Sequence, residues 1–326
     1  GMIMNREYLL EAYSRGIRDF RYADLYGANL SCANLSGANL SHAYLSHANL
    51  SGANLNDANL TKAGLNGADL TKADLTGANL AGAYLSGADL TKADLTGANL
   101  AGAYLRGANL NDANLTKANL DGADLTKADL TGANLAGADL TRADLLSADL
   151  TRAYLTGATL NGAILMFANF SGATLDGGGL KVLYQQGCRD FQRVNLTDAD
   201  LSGADLSGAK FNKADLTGAD LTGTNLAGVN LKDVKGVDSV KVDGRTQFVP
   251  VATSAMPQSA VDFGGDEVMA GVAPGIHALF RGLYARYAPH SAGALSPVPR
   301  EGGSASASAV GFFSSVAAFF SQSYPY

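Results

Sequence analysis

The hydrophobic positions of this 326-residue chain recur every five residues. Leucine is the central residue of every unit from Leu25 to Leu180 except at Phe170, and alanine nearly always stands two residues before it. An Asp or Asn lies between the two, and a Ser or Thr and then a variable residue, often Gly or Lys, follow. A helix needs an apolar period of about 3.6 residues and a strand a period of about 2, so neither element explains the pattern.

A chain that turns a corner every five residues and stacks coil upon coil does explain it, as in a β-solenoid. Leucine and alanine then line the inside, and the remaining positions face outward. Segments 70–85 and 90–105 are identical, and their offset of 20 residues predicts four units per coil and a square cross-section. We expect the core to include Leu25, Leu100, Phe170, Phe191 and Phe211.

Residues 20 apart should form columns along the outside. Asn39, Asn59, Asn79 and their successors predict a ladder of amide side chains that stabilises stacked strands. The stacked acidic pairs should repel each other, and we expect Lys72 and Lys92 to offset this. Such columns usually contribute to the sheet, and a binding stripe is the alternative. The candidate surface stripe comprises Tyr44, Tyr84, Tyr104, Asp69, Asp89, Asp129 and Asp149.

The repeated unit Ala-(Asp/Asn)-Leu-(Ser/Thr)-x covers roughly residues 20–236 and resembles the motif of the pentapeptide-repeat family. The resemblance implies an all-β fold, a right-handed quadrilateral β-helix with four pentapeptides per coil. It extends over about two thirds of the chain, and so many units in phase make it highly specific.

The pattern divides the chain into five segments. Residues 1–19 predict a short capping helix, with Asn5 as the N-cap and an apolar stripe of Tyr8, Leu9, Ala12 and Tyr13. The first solenoid covers 20–180, an interruption 181–190, a second repeat segment 191–236, and a non-repeat region 237–326. In the last segment, residues 239–249 predict a capping hairpin with a turn at Asp243-Gly244.

The interruption repeats the end of the cap. Residues 184–191 match residues 13–20 at five positions, with an offset of 171. Because 171 is not a multiple of five, two interpretations stay open: a loop on one continuous rod, or a second module that starts afresh. The matching pairs are Tyr13 and Tyr184, Gly16 and Gly187, Arg18 and Arg189, Asp19 and Asp190, and Phe20 and Phe191.

Two apolar stripes at helical spacing follow in the C-terminal region and predict two short helices. They are candidates for packing on the rod or on each other, for self-association, for a membrane surface, or for a targeting or secretion tail. The residues concerned are Leu279, Phe280, Leu283, Phe312, Phe313, Phe319 and Phe320.

Composition excludes several functions. The net charge of −6 argues against a nucleic-acid binder with a basic surface. No apolar run is long enough to span a membrane, and no signal-peptide pattern is present. Two cysteines fit a reducing compartment, so we expect a cytoplasmic protein, with secretion as the alternative.

No constellation typical of catalysis is present, so we predict no enzyme, cofactor or metal site. His42 and His47 lie in adjacent units and should be surface residues rather than a metal pair. Gly177-Gly178-Gly179 fits no phosphate-binding template and is expected to relax the last coil.

The pattern favours a rigid scaffold that binds an unknown protein partner, with self-association through the solenoid end or the C-terminal helices as an option. One branch of the family resembles DNA and binds DNA gyrase, which makes a DNA mimic the first alternative. Residues 20–236 hold 21 acidic and 16 basic residues, far below the roughly 30 net charges of a DNA segment about 50 Å long. A secreted effector with a localisation tail is the second alternative.

Overall fold

A computed structural model describes residues 4–248. The chain divides into two compact units, Gly1–Cys188 and Arg189–Tyr326. The first unit contains two helices, α1 (Arg6–Ser14) and α2 (Gly177–Gln185). The remaining regular structure of the described part consists of isolated parallel β-bridges. The predicted C-terminal helices, with Leu279, Phe280, Leu283, Phe312, Phe313, Phe319 and Phe320, lie outside the described residues.

The bridges of the first unit join residues 20 positions apart, so each coil consists of four pentapeptide units. They form four columns of eight residues, one on each face of the stack. In chain order the columns run from Asp19 to Thr159, from Asp24 to Ile164, from Asn29 to Asn169 and from Asn34 to Thr174.

Inside the stack, every backbone N–H of a unit with Asp or Asn at the column position has an acceptor, which explains how a chain without long strands is stable. Three of the five bond to the coil before or the coil after, one closes the corner turn, and one bonds to a side chain. For residues 73–77 the acceptors are, in chain order, Leu70 O, Ala53 O, Asp94 O, Asp74 Oδ1 and Thr96 O, at 2.7–3.0 Å.

The core lies inside the coils and is built from the leucine and alanine positions of the motif. Small alanines let the walls approach, and leucines fill the remaining volume. The rings of Phe191 and Phe211 stack inside the second unit, with centroids 5.6 Å apart. The five residues predicted for the core are at most 3 % exposed: Leu25, Leu100, Phe170, Phe191 and Phe211.

Helix α1 closes the carbonyl edge of the first coil. Asn5 caps the helix by accepting a hydrogen bond from the Tyr8 N–H at 2.8 Å. The Arg6 guanidinium donates to the carbonyls of Asn29 and Ser31, at 3.1 and 3.0 Å. The Tyr13 hydroxyl donates to the Ser36 carbonyl at 2.8 Å. Such groups occupy acceptors that an open edge would offer to another chain.

The apolar stripe predicted for α1 differs at one residue. Leu9 and Ala12 are buried and Tyr13 is half-buried, but Tyr8 is exposed. Tyr8 stands in the first turn of the helix, at the edge of the stripe that Leu9, Ala12 and Tyr13 form.

Helix α2 begins at Gly177, before the expected end of the array at residue 180, and occupies half of the predicted interruption. Leu180 is therefore a buried helical residue rather than the centre of a repeat unit. The three glycines 177–179 form the first helical turn instead of relaxing a coil. Asp176 causes this change, because its Oδ1 caps the helix by accepting from the Gly179 N–H at 2.7 Å.

The second unit has shorter columns, and they continue past the predicted end at residue 236. Lys241 pairs in parallel with Asp220, and Gln247 pairs in parallel with Asn225. The predicted hairpin at 239–249 is therefore wrong, because a hairpin would pair antiparallel. Residues 237–248 instead form a further stretch of coil, with offsets of 21 and 22 that reflect one inserted residue at each of two corners.

Candidate interaction surface

The Asp or Asn of each unit holds the next corner in place. Its side-chain oxygen accepts from the N–H two residues later, as Asp74 Oδ1 does from Thr76 at 3.0 Å. Such Asx turns are a common use of these two residue types. The expected asparagine ladder is largely replaced by them, because each side-chain oxygen turns toward its own corner. One exception is the hydrogen bond that Asn99 Nδ2 donates to Asn79 Oδ1 at 3.3 Å.

The corners require a residue with positive φ. The Leu carbonyl accepts from the Ala N–H three residues later, and the variable position between them has φ near +60°, as a type II turn demands. Glycine adopts this conformation without strain, which explains its frequency there. Lys72 and Lys92 adopt it as well, with φ of 56° and 57°.

One column of the first unit, with the two corners that flank it, carries most of the exposed aromatic side chains of the coils; we call it the tyrosine face. The rings of Tyr84 and Tyr104 stack in neighbouring coils, with centroids 5.1 Å apart and planes within 3°. Tyr44 belongs to the same column, but Gly64 lies between it and Tyr84. The column consists of Asp24, Tyr44, Gly64, Tyr84, Tyr104, Asp124, Asp144 and Ile164.

Exposed apolar side chains of the first unit concentrate on this face. Within its coils, eight of nine large exposed hydrophobic residues lie on the tyrosine face or at its corners, and Tyr154 lies on another face. The most exposed is Phe167, at 79 %. The eight residues are Tyr22, Tyr26, Tyr44, Tyr84, Tyr104, Ile164, Met166 and Phe167.

The aspartates of the candidate stripe occupy the next column, so the stripe is divided between two adjacent faces. Asp69 bridges to Asp89 and Asp129 to Asp149, as their spacing predicts, while Asn109 separates the two pairs. Among residues 4–248, no ion pair involves Lys72 or Lys92, contrary to expectation. The carboxylates are held by threonine N–H groups instead, as Asp89 is by Thr91 at 2.9 Å.

Acidic residues are distributed over all four columns of the first unit. Asp139, Asp144, Asp149 and Asp94 each stand on a different column. Asp121 lies at a corner, where a two-pronged hydrogen bond from the Arg142 guanidinium lowers the pKa of its carboxyl. The described part of the first unit therefore presents no face that is uniformly acidic.

Opposite corners of the tyrosine face carry His42 and His47. The His42 ring stacks on Tyr22 at 5.0 Å, and the His47 ring packs edge-on against Tyr26 at 5.6 Å. Residues 4–248 contain no group of three or more His, Cys, Asp or Glu side chains placed to hold a metal ion. No helix in the same range has the length and hydrophobicity needed to cross a membrane.

Comparison with known proteins identifies the family. The sequence profile described as pentapeptide repeats matches residues 19–178 in overlapping segments and residues 190–234, more than half of the chain. HetL, a pentapeptide repeat protein involved in heterocyst differentiation regulation in Nostoc sp. strain PCC 7120, is 35 % identical. The match covers 74 % of this chain and 96 % of HetL, with a TM-score of 0.46.

Two further solved structures are similar over shorter or more divergent stretches. A pentapeptide repeat protein from the thylakoid lumen of Arabidopsis thaliana is 32 % identical, over 34 % of this chain and 77 % of its own, with a TM-score of 0.33. QnrB1, a plasmid-mediated fluoroquinolone resistance protein, is 18 % identical, over 65 % of this chain and 92 % of its own, with a TM-score of 0.38. A search of the curated proteins gave no significant match. The repeats along both arrays confirm the resemblance of the motif, and the chain belongs to the pentapeptide-repeat family.

Proposed function

We propose that this protein is a non-enzymatic scaffold, built on the right-handed quadrilateral β-helix that the family resemblance implies, and that it binds a protein partner through the tyrosine face. The observation that carries the proposal is the concentration of exposed apolar side chains on one face of four. The other faces present Asp, Asn, Ser and Thr, which the Asx turns require.

Physical chemistry favours binding over a purely structural role for these side chains. Exposed apolar side chains that are scattered singly need no explanation, whereas their concentration on one face is typical of an interaction site. Tyrosine is enriched in protein interfaces because it gives a large contact area at a low cost in side-chain entropy. The corner positions of Tyr22 and Tyr26 tolerate polar residues elsewhere in the array, so the coil does not demand aromatic side chains there.

The gyrase-directed DNA mimic is less well supported by the distribution of charge. A mimic needs a continuous acidic face, since duplex DNA carries one charge per about 1.7 Å of its axis. The aspartate column is interrupted by asparagines, and other carboxylates are scattered over the remaining columns. These observations favour the tyrosine face as the partner surface.

We further propose that the second array is a separate module, whose pattern starts afresh after helix α2 as the first array starts after helix α1. Helices α1 and α2 start at Arg6 and Gly177, and the first bridges of the two arrays start at Asp19 and Asp190. Both pairs are separated by 171 residues, which is also the offset between the matching segments 13–20 and 184–191. This equality supports a fresh start of the pattern over a loop on one continuous rod.

The test of the binding face is affinity capture with the tagged full chain and two variants. The first variant replaces Tyr22, Tyr44 and Tyr104 with serine, and the matched control replaces Tyr154, an exposed tyrosine on another face. We expect a protein that is captured by the wild type and the control to be lost from the triple variant. A partner retained equally by all three chains contradicts the proposal.

A further inference from the structure

Gly64 interrupts the column of tyrosines, although the backbone does not require glycine at that place. The frequent corner glycines have positive φ, whereas Gly64 is not among the residues with positive φ. A Cβ at position 64 would meet the Ser46 Oγ at 3.6 Å and the Ala43 carbonyl at 3.8 Å, which are ordinary contacts. Gly64 is also the one glycine in a column position of the first array. An ordinary side chain would therefore fit, and its absence leaves an opening.

The opening has the thickness of one aromatic ring. Tyr44 and Tyr84 are two coils apart, which corresponds to about 10 Å at about 4.8 Å per coil. A ring inserted midway would lie about 5 Å from each tyrosine, inside the range of 4.5–7 Å that stacked aromatic pairs prefer. Tyr84 and Tyr104 already show this spacing, at 5.1 Å.

Charges near the opening select the kind of planar group. Over three coils, this face and its corners are formed by segments 41–47, 61–67 and 81–87. These segments contain no carboxylate. They do contain His42, His47 and Lys62. The His47 ring lies over Gly67, close to the opening, since a Cβ on Gly67 would meet it at 2.8 Å. The Lys62 ammonium, with no carboxylate in these segments, disfavours an arginine guanidinium and favours a neutral ring with acidic neighbours.

We propose that the gap at Gly64, between Tyr44 and Tyr84, receives an aromatic side chain of the partner protein, presented by a neutral or acidic segment. The inserted ring continues the stack of Tyr84 and Tyr104 and fixes the register of the partner along the face. The inference rests on the tyrosine face being the partner surface.

The test uses a synthetic peptide probe with a single tryptophan flanked by aspartates. The chain contains no tryptophan, so tryptophan fluorescence reports the probe alone. We expect saturable binding to the wild-type full chain, and a peptide with arginine in place of tryptophan should not compete. Gly64→Tyr should weaken binding about tenfold or more, because its ring fills the gap.

Gly64→Ala is the matched control, since it adds only a Cβ and leaves the gap open; its affinity should stay within about twofold of the wild type. Circular dichroism of both variants establishes that they fold. Equal binding by the wild type and Gly64→Tyr, better competition by the arginine peptide, or no binding of the probe to the wild type each overturns the inference.

The result is separable from the test of the face. Gly64→Tyr could bind the probe normally while the triple serine variant loses both the probe and the captured partner. In that case the tyrosine face remains the binding surface, and the proposed insertion at Gly64 is wrong. If the triple variant retains the captured partner, the proposed function itself fails.

Discussion

At the residue scale, four of the five positions each answer one local demand. Alanine and leucine supply packing, Asp or Asn supplies an acceptor for the corner, and the variable position supplies a positive φ. Aspartate and asparagine alternate freely along the columns because only the acceptor oxygen is needed. Tyrosine at a column position gives up this acceptor, as at Tyr84, where the Ser86 N–H bonds instead to Asn66 Oδ1 at 3.0 Å.

The conformation of the corner predicts a difference between two glycines. Gly97 has φ of +65°, and a Cβ added there would meet no other atom within 4 Å, so Gly97→Ala adds backbone strain without a clash. We expect a loss of about 1 kcal/mol in the free energy of unfolding. Gly64→Ala lacks this strain and should be neutral or slightly stabilising. Urea denaturation of both variants measures the difference, and equal losses would refute the assignment of the corner.

The Asx turns predict an acid-sensitive contribution to stability. Hydrogen bonds from the side chain and the backbone N–H of Thr222 lower the pKa of Asp220. A lowered pKa in the folded state stabilises the fold above the unfolded pKa of about 3.9, and this contribution is lost as the pH falls through the lower folded value. Asp220→Asn keeps the acceptor and should match the wild type near neutral pH.

Below about pH 4 we expect Asp220→Asn to lose less stability than the wild type, because the amide does not titrate. Urea midpoints measured across that range for both chains make the comparison. Parallel curves at all pH values would mean that the carboxylate adds nothing beyond its geometry.

At the element scale, short helices adjoin the ends where the repeat pattern stops. Asp176 stands where the motif has Ser or Thr and has two contacts. Its Oδ1 caps α2, and its Oδ2 accepts from the Gly157 N–H at 2.6 Å, in the coil before the last one of the first unit. One side chain thereby starts the helix and completes part of a coil edge.

Removing this side chain should affect both contacts. We expect Asp176→Ala to cost about 1–2 kcal/mol, the usual cost of losing an N-cap and its hydrogen bonds. Asp176→Asn keeps a good capping oxygen and should lose less. Hydrogen exchange at Gly157 and Gly179 reports the two contacts separately. Unchanged exchange at Gly157 in the alanine variant would show that the coil edge does not depend on Asp176.

At the scale of the whole molecule, the first unit behaves as a stack in which each coil contacts its neighbours. In such repeat arrays stability is a sum over units and interfaces, and a defect inside the stack disrupts the coils on both sides. Outward side chains that make no corner hydrogen bond carry little stability and are available for binding. The tyrosine face uses this freedom, whereas the core positions have none.

This division predicts opposite outcomes for two charge substitutions. Leu100 has no exposed surface, so Leu100→Asp buries an unpaired carboxylate and should lower stability by more than about 4 kcal/mol. Lys72 is exposed at a corner, and Lys72→Glu should stay within about 0.5 kcal/mol of the wild type. Thermal melts followed by circular dichroism measure the stability of both variants. A normal melt for Leu100→Asp would show that leucine does not face inward.

The five-residue period determined the coil without any structure, because every unit repeats the same local information. Leucine and alanine identified the inside, and the offset of 20 placed Tyr84 over Tyr104 and Asp69 over Asp89. The N-cap Asn5 and the buried Leu9 followed from helical spacing in the same way. Local periodicity is sufficient to predict the structure where neighbouring units share the same motif.

Only the tertiary structure decided the conformation of the segments that depart from the five-residue period. It also decided which corner side chains lie beside which column. Residues 237–248 depart from the motif, so their pattern gave no register, and pairing with Asp220 and Asn225 made them coil rather than hairpin. The tyrosine face gathers Tyr22, Tyr26 and Phe167 from corners of distant coils. That grouping depends on the direction in which each corner side chain points. The stacking of the coils places these side chains on one face, although they are far apart in the sequence.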